Sequence, residues 1–555
     1  MKHPVTAELL IGPLLRRVVG TRATIWVETS APALVRVRAG DAGGESHTFT
    51  AFGHHYALVV VEGLAPGTAT PYEVFLDGSL VWPEADSQYP QSVIRTRDRD
   101  DAAQPVRLVF GSCRETTQHV TARKLPPDAL DAYARRLMLT DEPAPDLLVL
   151  LGDQVYADIP SPVVKRFLHR HRKDGHDGPA HEVVSYEEYT QLYLESWRDP
   201  EMRWLYASVP SVMIFDDHEI IDDWNSSAAW RTEIRQQPWW TERIASGLAS
   251  YWVYQHLGNM EPDELAADPV FQKVIAAEDA TEVLHDFAIN VDANGGYQWS
   301  YSLDVGRTRL VVLDNRCSRV LDPERRSMLP PAEWQWFTDQ VHGDYDHLVV
   351  GSSLPWLLPP GVHHLEAWNE RIATSPRPWM SAFAERVRRA FDLEHWAAFH
   401  RSFDALAALF ARIGESGAVP APGPAGGGPA YPAPASISVL SGDVHHSYVA
   451  RAIFGTRVVA PVHQLTCSPV HNQVPSYMRP MLQVGWWRLP ATAARALART
   501  ARVAAPSVRW RKIAGPYFGN AVGTLDHDGR SAQVTIEGTT TDGALRTVAA
   551  VDLAG

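Results

Sequence analysis

Cysteine is scarce, with three residues in a chain of 555. An odd and sparse set builds no disulfide framework, so the core must hold the fold together. No continuous apolar run reaches membrane-spanning length. The opening segment MKHPVTAELLIGPLLRR has a short apolar stretch at 9–15, closed by Arg16 and Arg17, with no small-residue cleavage site. No export signal is therefore expected, and a cytoplasmic protein with reduced thiols is the expectation. Positive charge is in deficit: 51 Lys and Arg against 65 Asp and Glu leave a net charge of −14. That disfavours a nucleic-acid scaffold or an anionic membrane as partner, although cations bound in a cleft reverse the sign locally. Three motifs, two catalytic and one for structural zinc, are missing as well. GSSLP at 351–355 lacks the second glycine of a G-x-S-x-G elbow, and no G-x-x-x-x-G-K-[ST] phosphate loop or C-x-x-C pair is present.

What is there divides into two regions. Residues 1–100 carry short β-branched, partly alternating runs (ATIWVET, LVRVRAG, HTFTAF, HYALVVVEGL) separated by turn residues. They predict a small all-β domain resembling an immunoglobulin- or fibronectin-like sandwich. A charged stretch without apolar periodicity at 95–105 reads as the linker. From 105 to 555 the pattern changes to α/β. Six apolar runs end abruptly in polar clusters: VRLVF in GSCRE, DLLVLL in GDQVYAD, VPSVMIF in DDHEIIDDWN, RTRLVVL in DNRCSR, HLVVG in SSLPW and ASISVL in SGDVHHS. Fully apolar short strands predict a sheet covered on both faces, with ligands beyond the carboxyl ends of its strands. Helices are expected at 128–140, at 186–197 and, amphipathic and continuous, at 382–413. The last leads into a Pro/Gly-rich insertion near 418–435, read as a flexible loop. The histidine-rich 169–181 reads as a solvated loop. The arginine-rich 486–512 reads as a partly helical solvated surface rather than a substrate or membrane contact.

The strand ends present carboxylates and histidines with one tyrosine and one cysteine, a mixture suited to a site with more than one metal. In GDQVYAD, Asp153 follows Gly152 and Tyr156 lies three residues on, so both side chains can face one point. The pair reads either as ligands or as a helix cap with a packed tyrosine. In FDDHE, adjacent acids repel unless a cation or proton lies between them. Asp217 is the candidate ligand there and His218 the candidate cleft group, while Asp222, Asp223 and Asn225 suit capping equally well. In SGDVHHS, Asp443 and His445 share a face of an extended segment, and His446 points away. Cys113, in VFGSCRE, reads as core filler, nucleophile or ligand.

Taken together, GSC, GDQVYAD, DDHE, DNRCSR and SGDVHHS resemble the alkaline phosphatase D (PhoD-like) family of the metallophosphoesterase superfamily. The resemblance implies an α/β metallophosphoesterase-type layered sheet domain and hydrolysis of phosphate esters, mono- or diester, by a metal-bound hydroxide. It also implies that Cys113, Asp153 and Tyr156 hold ferric iron. Asp153 then bridges to calcium, or to another divalent ion, with Asp217, Asp443 and His445 completing the cluster. His218 is expected to stabilise or protonate the leaving oxygen. Arg316 is expected to bind a phosphate oxygen, or else to pair with Asp314, and Arg114 and Arg319 are further candidates for the phosphate. Two other readings stand beside this one: a phospholipase D-like phosphodiesterase, and a non-catalytic binding protein acting through its β-module.

Overall fold

The computed structural model describes residues 6–98, 104–117, 125–172, 178–415, 419–420 and 430–554. Most of the Pro/Gly-rich insertion, and residues 99–103 of the expected linker, lie outside these.

The N-terminal region holds two four-stranded antiparallel sheets. The first orders Leu9–Val19, Arg22–Thr29, His54–Val61 and Phe49–Ala51; the second orders Ala42–His47, Leu34–Ala39, Glu73–Leu76 and Ser79–Trp82. Ile25, Val27 and Val59 of the first sheet meet Val35, Val37 and Val74 of the second in one buried cluster. The opposite face of the first sheet is also buried. Its Trp26 meets Trp197 edge-on at 6.2 Å and Tyr254 at 5.3 Å, both from the following region. Short alternating strands were legible in the sequence. The burial of both faces of one sheet was not, because it depends on a surface far along the chain.

The α/β region is built on two mixed sheets rather than the single sheet expected. In the six-stranded sheet, β1 (Val106–Gly111), β2 (Leu147–Leu151) and β3 (Ser211–Ile214) run parallel, with β3 at the edge. In the seven-stranded sheet, β4 (Thr308–Leu313), β5 (His347–Ser352) and β6 (Ser436–Ser441) run parallel. Side chains alternate between faces along each strand. Leu108, Phe110 and Val149 therefore meet Leu310, Val312 and Val349 between the sheets. Val109, Leu148 and Leu150 face helices on one outer side, and Val311, Leu348 and Val350 face helices on the other. A strand buried between a sheet and a helix reads as apolar as one buried between two helices, so the pattern cannot count sheets. The six polar strand ends thus arrive as two sets of three.

Local signals placed several helices well. Ala129–Leu139 is capped by Asp128, whose carboxylate accepts from the N–H groups of Leu130 (2.9 Å) and Asp131 (3.3 Å). Tyr186–Trp197 starts on a Ser185–Glu188 capping box. Two expectations need correction. The continuous helix at 382–413 is two helices, Pro378–Phe391 and His400–Ile413. They are separated by Asp392 in the left-handed region (φ 52°) and a 3-10 turn at Trp396–Phe399. The histidine-rich stretch begins inside a helix, Pro162–His171, with His169 and His171 in its last turn, where cations suit the helix dipole; residues 173–177 lie outside the described residues.

Candidate metal centre

The carboxyl ends of β1, β2, β3 and β6 converge. The ends of β1, β2 and β6 turn sharply to present side chains to the centre, and the backbone records this. Cys113 (φ 60°), Asp153 (φ 55°), Asp443 (φ 65°) and His445 (φ 48°) all occupy left-handed geometry, which residues with a Cβ rarely adopt. Gly152 (φ 98°) precedes Asp153, and a Cβ there would lie 2.6 Å from the Asp216 Cβ, so the turn demands glycine. The loops are then tied together. The Cys113 N–H donates to the Gly152 carbonyl (3.1 Å) and the Asp443 N–H to Ser112 Oγ (3.2 Å). The buried Glu219 carboxylate accepts from the N–H groups of Asp153 (3.0 Å), Gln154 (2.8 Å) and Asp216 (2.9 Å). One side chain thereby locks the ends of β2 and β3 to each other.

Asp153 is the hub. Cys113 Sγ and the Tyr156 hydroxyl each lie 3.3 Å from its Oδ2. Candidate ligand atoms of Cys113, Asp153 and His445 lie within 4.8 Å of one another. The same holds for Asp153, Asp217 and His218, and for Asp153, Asp216, Asp217 and Asp443. Asp153 belongs to every one of these sets. It is buried, and its Oδ1 has no hydrogen-bond partner among the described residues. A buried carboxylate oxygen left bare, beside two further acids, is what a cation would satisfy. The donor set therefore fits a metal cluster.

The electrostatics point the same way. Burial, then the charges of Asp216, Asp217 and Glu219, push the Asp153 carboxyl well above the usual range against the opposing pull of His218. Burial and the negative Asp153 and Asp443 likewise push the Cys113 thiol up, and burial with Asp153 does the same to the Tyr156 phenol. A bound cation reverses each of these directions. Burial also pushes the Asp443 carboxyl up, but the hydrogen bond and charge of His395, with Arg316, outweigh it and bring it to about 2. His395 Nε2 stands 2.9 Å from Asp443 Oδ2. Burial lowers the His218 imidazole, yet Asp158, Asp217 and Asp153 together raise it well above its ordinary value. Asp158 holds His218 Nδ1 at 2.8 and 2.9 Å from its two oxygens, and the Tyr156 ring stacks on the imidazole at 4.4 Å.

A cleft of about 280 Å³ opens over this centre, and Asp153, Tyr156, Asp217, His218, Asp443 and His445 line it. Cys113 lies beneath it, fully buried. His446 turns away, as expected, with its ring stacked on Tyr448. The arginines are placed differently from expectation, and none of the three lines the cleft. Arg316 is fully buried in a cage of acids: it contacts Asp216 and Glu394, and its Nη2 is 3.1 Å from Asp217. Arg114 donates to Asp128 (2.7 Å) and to the Ser196 carbonyl (3.0 Å). Arg319 donates to the Asn315 carbonyl (2.6 Å) and to Glu394 (3.0 Å). The physical reason is shared: a buried guanidinium needs its charge matched, and internal acids already do so. Asp223 and Asn225 serve the loop, donating from the Asp223 N–H to Asp217 (3.1 Å) and from the Asn225 amide to the Arg316 carbonyl (3.2 Å).

Several contributors carry no clear mark in the sequence. His395 and Glu394 sit in the break of the expected long helix, where no local residue warns of it. Asn472, whose amide donates to the Tyr156 hydroxyl at 2.9 Å, follows the strand Val462–Thr466, whose end has no acid to mark it. Asp158 and Glu219 are the last acids of GDQVYAD and DDHE, where nothing local separates a supporting acid from a ligand. A larger groove of about 780 Å³ runs along the seam between the N-terminal sheets and the six-stranded sheet. Two of its arginines are paired with acids of the same groove, Arg97 with Asp146 and Arg107 with Asp526, each at 2.7 Å.

Residues 112–342 match the family model described as PhoD-like phosphatase, and residues 6–94 match a domain of unknown function, DUF7800. The solved structure of PhoD superposes with a TM-score of 0.60 at 12% identity, covering 100% of this chain and 95% of that one. A type III pullulan hydrolase from Thermococcus kodakarensis, at 10% identity over 96% of this chain and 94% of its own, reaches only 0.16 and carries no likeness of fold. No curated protein matches.

Proposed function

We propose that the protein is a metal-dependent phosphoric ester hydrolase, a reading supported by the match of residues 112–342 to the PhoD-like phosphatase family model, and that its residues share the work as follows. Cys113, Asp153 and Tyr156 would hold one cation, with ferric iron the reading that suits a thiolate and a phenolate together. Asp217, Asp443 and His445, with Asp153 beside them, would hold a second, harder cation such as calcium or another divalent ion. Bound there, such cations supply Lewis-acid activation of water and neutralise phosphoryl charge. The observation that carries the reading is Asp153: it is shared by the three candidate ligand sets at these strand ends, and one of its buried oxygens has no hydrogen-bond partner among the described residues.

The chain's own groups do the rest. Asp158 fixes His218 through Nδ1, which leaves Nε2 to hold a proton at the leaving oxygen of a phosphate ester in the cleft. Arg316 acts as a positioning residue. It neutralises Asp216 and Glu394 and reaches Asp217 at 3.1 Å, which offsets part of the negative charge gathered at the centre. His395 orients Asp443, and Asn472 orients the Tyr156 oxygen. We read the two mixed sheets with outer helices as metallophosphoesterase layering. The N-terminal sheets, residues 1–100, are read as an immunoglobulin- or fibronectin-like sandwich set before a catalytic unit spanning 105–555. The three free, buried cysteines suit a reducing cytoplasm.

The test is hydrolysis of p-nitrophenyl phosphate, beside its bis ester, by wild type and Asp153→Asn, with metal content and the visible spectrum measured on the same samples. The reading expects metal bound by the wild type, a tyrosinate-to-iron absorption band, and loss of both metal and turnover in the variant. Turnover by metal-free protein, or by the variant at the wild-type rate, would refute it.

A further inference from the structure

The chain is acidic overall, yet between Asp443 and Asp526 it contains no Asp or Glu and ten Arg and Lys. Among the described residues, none of these ten forms an ion pair with a carboxylate. Arginines elsewhere do so routinely, as Arg389 does with Glu233 at 2.7 Å. The segment therefore presents uncompensated positive charge.

The same segment exposes apolar side chains. Its helix, Arg488–Thr500, packs on the helix Pro360–Ala373 and buries Ala494 and Ala498. At 100° per residue, the opposite face holds Leu489, Ala493 and Ala496, all exposed. Arg488, Arg495 and Arg499, spaced seven and four apart, run along one flank of that face, and Leu497 lies on the other. Leu489 is 84% exposed and Trp487, just before the helix, is 58% exposed. The patch is continuous in sequence with the cleft: Tyr477, 70% exposed, and Leu482 both line the cleft mouth, and Trp487 follows five residues later.

We propose that this face docks the protein on an anionic lipid bilayer, with Trp487, Leu489 and Leu497 in the interfacial layer and the flanking arginines against the headgroups. Exposed leucine and tryptophan on a helix with a cationic flank is the pattern of an interfacial helix. A nucleic acid would engage the arginines but leaves an exposed leucine without a partner, since polyanion recognition rests on charge, hydrogen bonding and aromatic stacking. The overall negative charge does not oppose the docking, because lipid charge is felt only within a screening length of the surface.

Flotation of the full chain with phosphatidylcholine vesicles, with and without about 30 mol% phosphatidylglycerol, tests the proposal. The wild type should bind the anionic vesicles, release in high salt and ignore the neutral ones. Each basic residue near the surface contributes about fivefold, so Arg488→Gln and Arg499→Gln combined should weaken binding about 25-fold. Trp487→Ser with Leu489→Ser should weaken it at least about tenfold. Both variants change exposed side chains away from the metal centre, so hydrolysis of p-nitrophenyl phosphate should match wild type and verify the fold. Absence of binding to anionic vesicles, or binding by both variants at wild-type strength, overturns the proposal. So does tighter binding to a duplex DNA than to the vesicles. Because the readout is partition, its failure is separate from any failure of the hydrolase reading.

Discussion

Substituting Arg16→Met should lower the stability of the whole chain and disturb the metal centre, although Arg16 belongs to the N-terminal sheets. Arg16 is fully buried and reaches into the α/β region. Its Nε donates to the Ser211 carbonyl (3.0 Å), Nη1 to the Tyr254 carbonyl (3.0 Å), and Nη2 to the Gln255 carbonyl (2.8 Å) and Asn259 Oδ1 (3.2 Å). Asn259 in turn caps the open edge of β3, accepting from the Met213 N–H (2.9 Å) and donating to its carbonyl (2.7 Å). Three residues beyond Met213 the chain enters Asp216, Asp217 and His218. Burial lowers the Arg16 pKa to about 10, so it stays charged at neutral pH. Methionine would fill much of the volume and strand these buried acceptors, while relieving the cost of burying a charge. Each stranded buried acceptor costs about 1–3 kcal/mol, so the four together, less the relief, cost about 3–5 kcal/mol. With unfolding entropy near 2.1 cal/mol/K per residue over 555 residues, that corresponds to a Tm about 3–4 °C lower. Calorimetry would measure it, with metal content and p-nitrophenyl phosphate turnover followed in parallel. A wild-type Tm would refute the reasoning. So would a separate early melting of the N-terminal sheets that left the main transition and the metal untouched, because the two regions would then not share a core.

Asp158→Asn should lower kcat about 10–100-fold with little change in KM, because it loosens His218 without touching a candidate ligand; an unchanged kcat would remove His218 from proton handling. Burial lowers the His54 imidazole, but its hydrogen bonds to Glu187 and Glu28 raise it further, to about 9. A raised histidine stabilises fully below about pH 6.5 and loses that contribution as pH climbs through about 9. After discounting for the exposed Glu187, about 1–2 kcal/mol is at stake. The Tm gap between wild type and His54→Gln should accordingly shrink from pH 6 to pH 9.5, and a constant gap would contradict it. Stripping metal with a chelator should abolish turnover and lower Tm by about 3 °C if the site is held at about 1,000 times Kd. Metal-free protein with both properties intact would exclude the proposed cluster.

Much of the centre is legible in the amino-acid sequence. The six strand ends, the glycine-led turn before Asp153, the Asp128 cap and the Ser185–Glu188 box are local: each depends on a few neighbouring residues and on burial that apolar runs announce. These determined an α/β chain with carboxylates, imidazoles and a thiol gathered at the strand ends. The tertiary structure alone decided which charges neutralise which. Arg316 looked free for phosphate because its acids, Asp216 and Glu394, lie 100 and 78 residues away. The helix pattern ran through Glu394 and His395 because a periodicity of 3.6 cannot see that Arg316 and Asp443 pull those residues inward. The β-region read as a module because nothing near Trp26 or Arg16 shows the surface waiting for them. Backbone preferences and hydrophobic period are written in short windows, whereas charge compensation in a buried site is settled between segments that meet only once the chain has folded.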